Sequence, residues 1–216
     1  MPSKYVIRNF SENSFHHVYN RGVEKRKIFL DQDDYAMFIY YLYIYVQPLK
    51  EIKNRYPGTP FRLLGKNLSE EIDLIAYCLM PNHFHLLLKG SKKDSISKLL
   101  KQLTNAYTFY FNSKYDRVGS LMQGVFKSVR IVTDEQLIHV SRYIHLNPTI
   151  GFLVKNLNDY KYSSFSSYGG GKDKMKIKKD YVLEHFKSSK EYVKFVLDQE
   201  SYAKELNKIK HLTLED

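Results

Sequence analysis

Two histidines one residue apart, His83 and His85, sit in the run Pro81-Asn82-His83-Phe84-His85-Leu86-Leu87-Leu88. On a β-strand, side chains at i and i+2 share a face, so the two imidazoles stand side by side while Phe84 faces the opposite layer. Two neutral imidazoles with room for a further ligand suit Mn, Zn or Mg-type ions that keep open positions. A bare His-x-His equally describes two histidines making ordinary hydrogen bonds at a strand edge. The apolar run around the pair favours function, because burying two such groups without a partner is costly.

A second group lies in Arg142-Tyr143-Ile144-His145-Leu146-Asn147-Pro148. On a helix, Tyr143 and Asn147 stand one above the other, and His139 shares the same stripe. A tyrosine hydroxyl becomes a nucleophile once a metal or base helps remove its proton, and it then forms a covalent intermediate. An amide oxygen from Asn147 could complete a metal shell on that face. Taken alone, Tyr143 beside Ile144 reads equally as a core residue.

These groups need elements to hold them. Phe15 to Gly22 reads as a strand of β-branched and aromatic residues stopped by Gly22. Asp31 to Asp34 supply an N-cap and first-turn acids for a helix that runs toward Pro48 and is apolar on nearly every side. Residues 50–70, with Pro57-Gly58, Pro60 and Gly65, read as a basic loop. Ile72 to Leu79 and Phe84 to Leu88 form a strand pair, both expected to be central because both are so apolar.

From Ser95 to Phe111, Leu99, Leu100, Leu103, Ala106, Tyr107 and Tyr110 recur at helical spacing. Val125 to Val132 is a further strand, and Thr133-Asp134 open a third helix that Pro148 is expected to close. The order strand, helix, strand, strand, helix, strand predicts an α+β ferredoxin-like sandwich, an antiparallel sheet with helices on one face. The expected organisation is a domain over 1–168, a flexible basic linker over 169–180 and a small helical C-terminal tail over 181–216, with helices at Tyr181 to Phe186 and Glu191 to Ile209.

The 216 residues carry 34 Lys and Arg against 23 Asp and Glu, a net charge of +11. A domain this basic usually meets a polyanion, most often nucleic acid. Arg21, Lys25, Arg26 and Lys27 follow the first strand, Lys127 and Arg130 flank the later one, and Lys172, Lys174, Lys176, Lys178 and Lys179 line the linker. Each run also fits a solvated surface. Tyr160, Tyr162 and Tyr168 suit either base stacking or packing of the tail.

Cys78 is the single cysteine, which excludes an internal disulfide and fits a reducing compartment. The N-terminal residues lack the apolar core of a signal peptide, and the longest apolar stretch, Tyr35 to Val46, falls short of the roughly 20 residues a membrane helix needs. The expected location is the cytoplasm, on the nucleoid in a bacterial cell.

In combination, a His-hydrophobic-His strand and a later helical tyrosine resemble the HUH single-strand endonucleases. Five ordered blocks are more specifically similar to the REP-associated tyrosine transposases, a branch of the single-strand insertion-sequence transposases. The blocks are His17-Val18-Tyr19-Asn20-Arg21-Gly22, Tyr77 through Leu87, Gly124-Val125-Phe126-Lys127-Ser128, Tyr143 through Pro148, and Asp159-Tyr160-Lys161-Tyr162-Ser163-Ser164. The family often has tryptophan near Met122 and arginine at Val125, and it usually reads Asn-Pro-Val-Arg where this chain has Asn147-Pro148-Thr149-Ile150. None of these departures touches the expected metal or nucleophile.

The resemblance implies metal ligands at His83, His85 and Asn147, a Mg2+ or Mn2+ cofactor, and Tyr143 as nucleophile. It implies a single-strand DNA nicking and joining enzyme that forms a 5′-phosphotyrosine at hairpin-associated sites and works as a homodimer. Two rival readings are a non-catalytic nucleic-acid-binding regulator derived from a transposase, and a metal-dependent hydrolase using the histidine pair with His139 or Glu135. The hydrolase needs nearby carboxylate ligands, for which Asp73 and Asp94 are poorly placed.

Overall fold

Gly22 ends the first strand because the chain folds back on itself there: a Cβ at this position would stand 2.2 Å from the Arg26 carbonyl oxygen. The preceding strand, β1 (Ser14–Arg21), is the hub of the computed structural model, which describes residues 10–171 and 175–200. It pairs antiparallel with β3 (His83–Gly90) on one side and β4 (Lys127–Ile131) on the other, and β3 pairs in turn with β2 (Ile72–Met80). The sheet order is β2-β3-β1-β4. The expected α+β fold with a four-stranded antiparallel sheet is present.

The helix α1 (Gln32–Val46) starts at a reciprocal cap. The Asp31 side chain accepts from the Asp34 amide, and the Asp34 carboxylate accepts from the Asp31 amide. This satisfies two amides that the first turn would leave unpaired. The helix α4 (Ser95–Lys114) turns Leu99, Leu100, Leu103, Tyr107 and Phe111 inward. These two helices share one face of the sheet, where Phe38, Phe84 and Tyr107 meet ring to ring.

The opposite face is covered as well. There α5 (Asp134–Ile150) packs on β2 and β3. Helices on one face therefore describes the two crossover helices, while a third helix closes the second layer. Its N-cap is Thr133, as expected, with the side-chain hydroxyl accepting from the Gln136 amide at 3.2 Å. Pro148 does not end it. The helix continues to Ile150 and closes where Gly151 donates to the Asn147 carbonyl at 2.8 Å.

β2 is an edge strand, contrary to its expected central place; its side chains are apolar because α1 and α5 pack against it. The segment after α5 lies along its free edge. Leu79 donates to the Tyr162 carbonyl at 2.9 Å and Ser164 to the Tyr77 carbonyl at 3.0 Å, while Cys78 and Ser163 form an isolated bridge. Paired and covered this way, the edge is closed to other chains.

The tyrosines of this segment are structural. Tyr160 donates to the Leu79 carbonyl at 2.6 Å, Tyr168 to the Ile75 carbonyl at 2.8 Å, and Tyr162 stacks on Tyr35 at 3.7 Å. The short helix α6 (Phe165–Tyr168) follows. Within the expected linker, Met175 and Ile177 are buried and Lys178 donates to the Leu74 carbonyl at 2.8 Å, so 175–178 is docked; Lys172 and Lys174 lie outside the described residues.

Two tail helices, α7 (Asp180–Leu183) and α8 (Ser189–Leu197), pack on α5. The part of the expected tail beyond residue 200 lies outside the described residues. The stretch expected as a loop over 50–70 holds the helices at Leu49–Arg55 and Phe61–Leu64. No helix among the described residues is long and apolar enough to cross a membrane.

Candidate functional site

The register of β3, β1 and β4 assembles the site. Tyr19 on β1 stands opposite His85, Arg21 opposite His83, and Lys127 on β4 opposite Tyr19. Because alternate residues share a face, His17, Tyr19, Arg21, His83, His85 and Lys127 all belong to the face under α5. The His83 and His85 rings meet edge to face at 4.9 Å between centroids. Tyr143 reaches down from α5 and sets its ring edge-on to His85 at 5.6 Å and to His17 at 5.8 Å.

Asn147 sits one helical turn after Tyr143. It donates from Nδ2 to the Tyr143 backbone carbonyl at 2.8 Å, and its amide also interacts with the His83 imidazole and the Tyr143 phenol. The four residues singled out by spacing are thus gathered in one place: His83, His85, Tyr143 and Asn147. His139 is not among them. It is exposed, receives a hydrogen bond from Arg142 at 2.7 Å and faces Phe195 of α8.

Burial sets the charge state of this cluster. His83 is pushed down to about 4, mainly by burial, with Arg21 adding to the effect and Asn147 opposing it. His85 falls well below the ordinary histidine value, again through burial, with smaller contributions from His17 and His83. His17 is likewise lowered to about 4 by burial. All three rings are therefore neutral near pH 7, the form that offers a lone pair to a metal. Tyr143 keeps 47% of its surface exposed, yet burial on its sheet side raises its pKa, helped by Tyr19 and opposed by the Asn147 amide.

Two nitrogens decide what the histidines can hold. Asn82 donates from Nδ2 to the Lys25 carbonyl at 3.2 Å, which leaves its Oδ1 against His83 Nδ1 at 2.6 Å. An amide oxygen only accepts, so His83 carries its proton on Nδ1 and its lone pair on Nε2. His85 Nε2 is buried and has no hydrogen-bond partner among the described residues. Two neutral imidazoles and one amide oxygen fit a divalent ion that keeps positions open for water or substrate. Among the described residues, no group of three or more His, Cys, Asp or Glu is arranged to hold a metal. The hydrolase reading, which needs such carboxylates, finds none here.

Sequence reading missed two members of this site. His17 contacts His85 directly, with 2.9 Å between His17 Nε2 and His85 Nδ1. Asn82 orients His83 as described. Of the adjacent pair His16-His17, only His17 faces the site; His16 points to the other face, between the Ser14 and Ser128 hydroxyls at 3.0 Å each. The basic residues divide similarly. Arg21 and Lys127 border the site, and Arg21 is held by the Gln123 side chain. Lys25, Arg26 and Lys27 lie on the loop that receives Asn82, whereas Arg130 pairs with His16 and so belongs to the far face.

Residues 63–147 match the family model "Transposase IS200 like". A solved REP-associated tyrosine transposase, bound in that structure to a REP hairpin, superposes with a TM-score of 0.57 at 17% identity, over 78% of this chain and 86% of that one. A transposase-like protein of Deinococcus radiodurans R1 gives a TM-score of 0.37 at 16% identity, covering 62% of this chain and 91% of that one. The tRNA(His) guanylyltransferase of Saccharomyces cerevisiae gives 0.38 at 10%, covering 97% and 80%. The last two scores are too low to argue a shared fold. No curated protein matches the sequence. The first superposition shows the fold, and the segment similar to the IS200-like transposase model contains His83, His85, Tyr143 and Asn147.

Proposed function

We propose that this protein is a metal-dependent single-strand DNA endonuclease and strand transferase that forms a 5′-phosphotyrosine through Tyr143. The observation that carries the reading is the placement of the Tyr143 phenol edge-on to His85, with Asn147 interacting with both that phenol and His83. The phenol thus lies against the His85 imidazole, whose Nε2 has no partner among the described residues, beside the basic residues Arg21 and Lys127. His83, His85 and Asn147 would hold the ion. A bound Mg2+ or Mn2+ supplies charge stabilisation at the scissile phosphate.

The chain's own residues do the rest. Arg21 and Lys127 attract the phosphate backbone to the site face. The Tyr143 oxygen attacks phosphorus, giving up its proton, and the 3′ oxygen leaves as a hydroxyl that takes up a proton. One phosphodiester is exchanged for another, so the bond energy is kept and a second 3′-hydroxyl reverses the step without ATP. Tyr143 gives one adduct per subunit, so joining two ends calls for two copies, a homodimer. The substrate in this reading is hairpin-bearing single-stranded DNA, by analogy with the hairpin-bound relative. The site of action would be the cytoplasm.

The test is incubation with labelled hairpin-bearing single-stranded DNA and Mn2+ or Mg2+, followed by denaturing electrophoresis. Wild type should give a denaturant-resistant adduct; Tyr143→Phe should give none while still binding DNA. A Tyr143→Phe protein that still cleaves refutes the nucleophile. Binding by wild type without any adduct favours the regulator reading instead.

A further inference from the structure

The contact between His17 and His85 joins two ring nitrogens, so one must donate and the other accept. In the first arrangement His17 Nε2 donates and His85 accepts on Nδ1. The His85 proton then sits on Nε2, which is buried and has no partner among the described residues. An orphaned buried N–H is the rarer kind of unsatisfied group, because the donor loses its water and gains no acceptor. In the second arrangement His85 donates from Nδ1 to His17 Nε2, and the unpartnered atom is a lone pair.

We propose that the second arrangement holds, and that His17 is a positioning residue. It accepts from His85 Nδ1 and fixes the His85 tautomer with a free Nε2 lone pair. The neighbouring ring supports this assignment independently. Asn82 fixes His83 with its proton on Nδ1, so both imidazoles of the pair carry the same tautomer. A ligating histidine almost always gives its other N–H to an acceptor that sets its tautomer and orientation. Asn82 is that acceptor for His83, and His17 is that acceptor for His85. The His17 ring is itself placed by β1, where it stands two residues before Tyr19, the strand partner of His85. Only the consequence for metal binding rests on the function proposed above; the tautomer does not.

The experiment uses 15N-labelled full-length protein without added metal. Long-range 1H–15N spectra should show His85 protonated on Nδ1, with the Nε2 shift of an unprotonated nitrogen; a proton on His85 Nε2 overturns the proposal. His17→Phe keeps a ring but loses the acceptor. It should move His85 toward the Nε2–H tautomer and weaken Mn2+ binding, read by titration calorimetry, about 10–100-fold. His17→Gln, whose Oε1 reaches the same place, should restore both readouts. A His17→Phe protein with the wild-type His85 tautomer and wild-type Mn2+ affinity also overturns the proposal. If His17→Phe does not fold, the wild-type and His17→Gln spectra decide alone. If wild type binds no Mn2+, the metal-centre reading falls and the spectra still decide the role of His17.

Discussion

Asn147 donates its side-chain amide to the backbone carbonyl of Tyr143, one helical turn earlier, at 2.8 Å. A carbonyl only accepts, so Nδ2 is committed to the backbone and Oδ1 points away from the helix. The sequence spacing predicted a shared face; the bond adds a fixed direction for the amide oxygen.

Replacing Asn147 with Ala should therefore separate stability from chemistry. The lost hydrogen bond is worth about 0.5–1.5 kcal/mol, so urea unfolding should shift only modestly. If Asn147 supplies a ligand oxygen as proposed, Mn2+ affinity and adduct yield should fall by about tenfold or more. Equal adduct yields in Asn147→Ala and wild type would remove Asn147 from the site.

The parts of the site legible in the sequence were those with short-range periodicity. His83 and His85 follow the two-residue repeat of a strand, and Tyr143 and Asn147 the four-residue repeat of a helix face. His17 was invisible as a site residue because its meeting with His85 depends on the β1–β3 register, a pairing across 68 positions. The edge position of β2 was hidden for a related reason. Its apolar residues resemble those of a central strand because α5 and α1 cover its faces, while residues 162–164 return to pair with its free edge. Pro148 misled because a proline marks a helix end only on average; here two more residues remain helical before Gly151.

The helix that carries Tyr143 is tied to the tail through a buried polar cluster. His145 contacts the Tyr192 hydroxyl through Nδ1 at 2.6 Å and the Ser164 hydroxyl through Nε2 at 2.8 Å. Burial lowers its pKa to about 3, against an ordinary value of about 6.5. The sign follows from proton counting. Between these two values the unfolded chain holds a proton on this residue and the folded chain does not, so stability rises with pH across that window. It is fully present above pH of about 6.5 and declines as pH falls toward about 3, by up to about 1.4 kcal/mol per unit for this group. Denaturant melts from pH 7 to pH 4 should show this loss, with a shallower slope in His145→Gln than in wild type. Identical slopes in the two proteins would show that His145 titrates normally in the fold.

The sheet divides the basic residues, and that division can be measured. Arg21 lies on the site face opposite His83, while Arg130 pairs with His16 and belongs to the far face. If single-stranded DNA lies across the site, Arg21→Ala should weaken binding and lower the salt slope by about one released counterion. Arg130→Ala should change neither, although both substitutions remove one positive charge from the same protein. Fluorescence anisotropy across a range of salt concentrations reads both effects. A general attraction between a basic protein and a polyanion would respond equally to either loss, so equal salt slopes in the two variants would place the DNA away from the Tyr143 face.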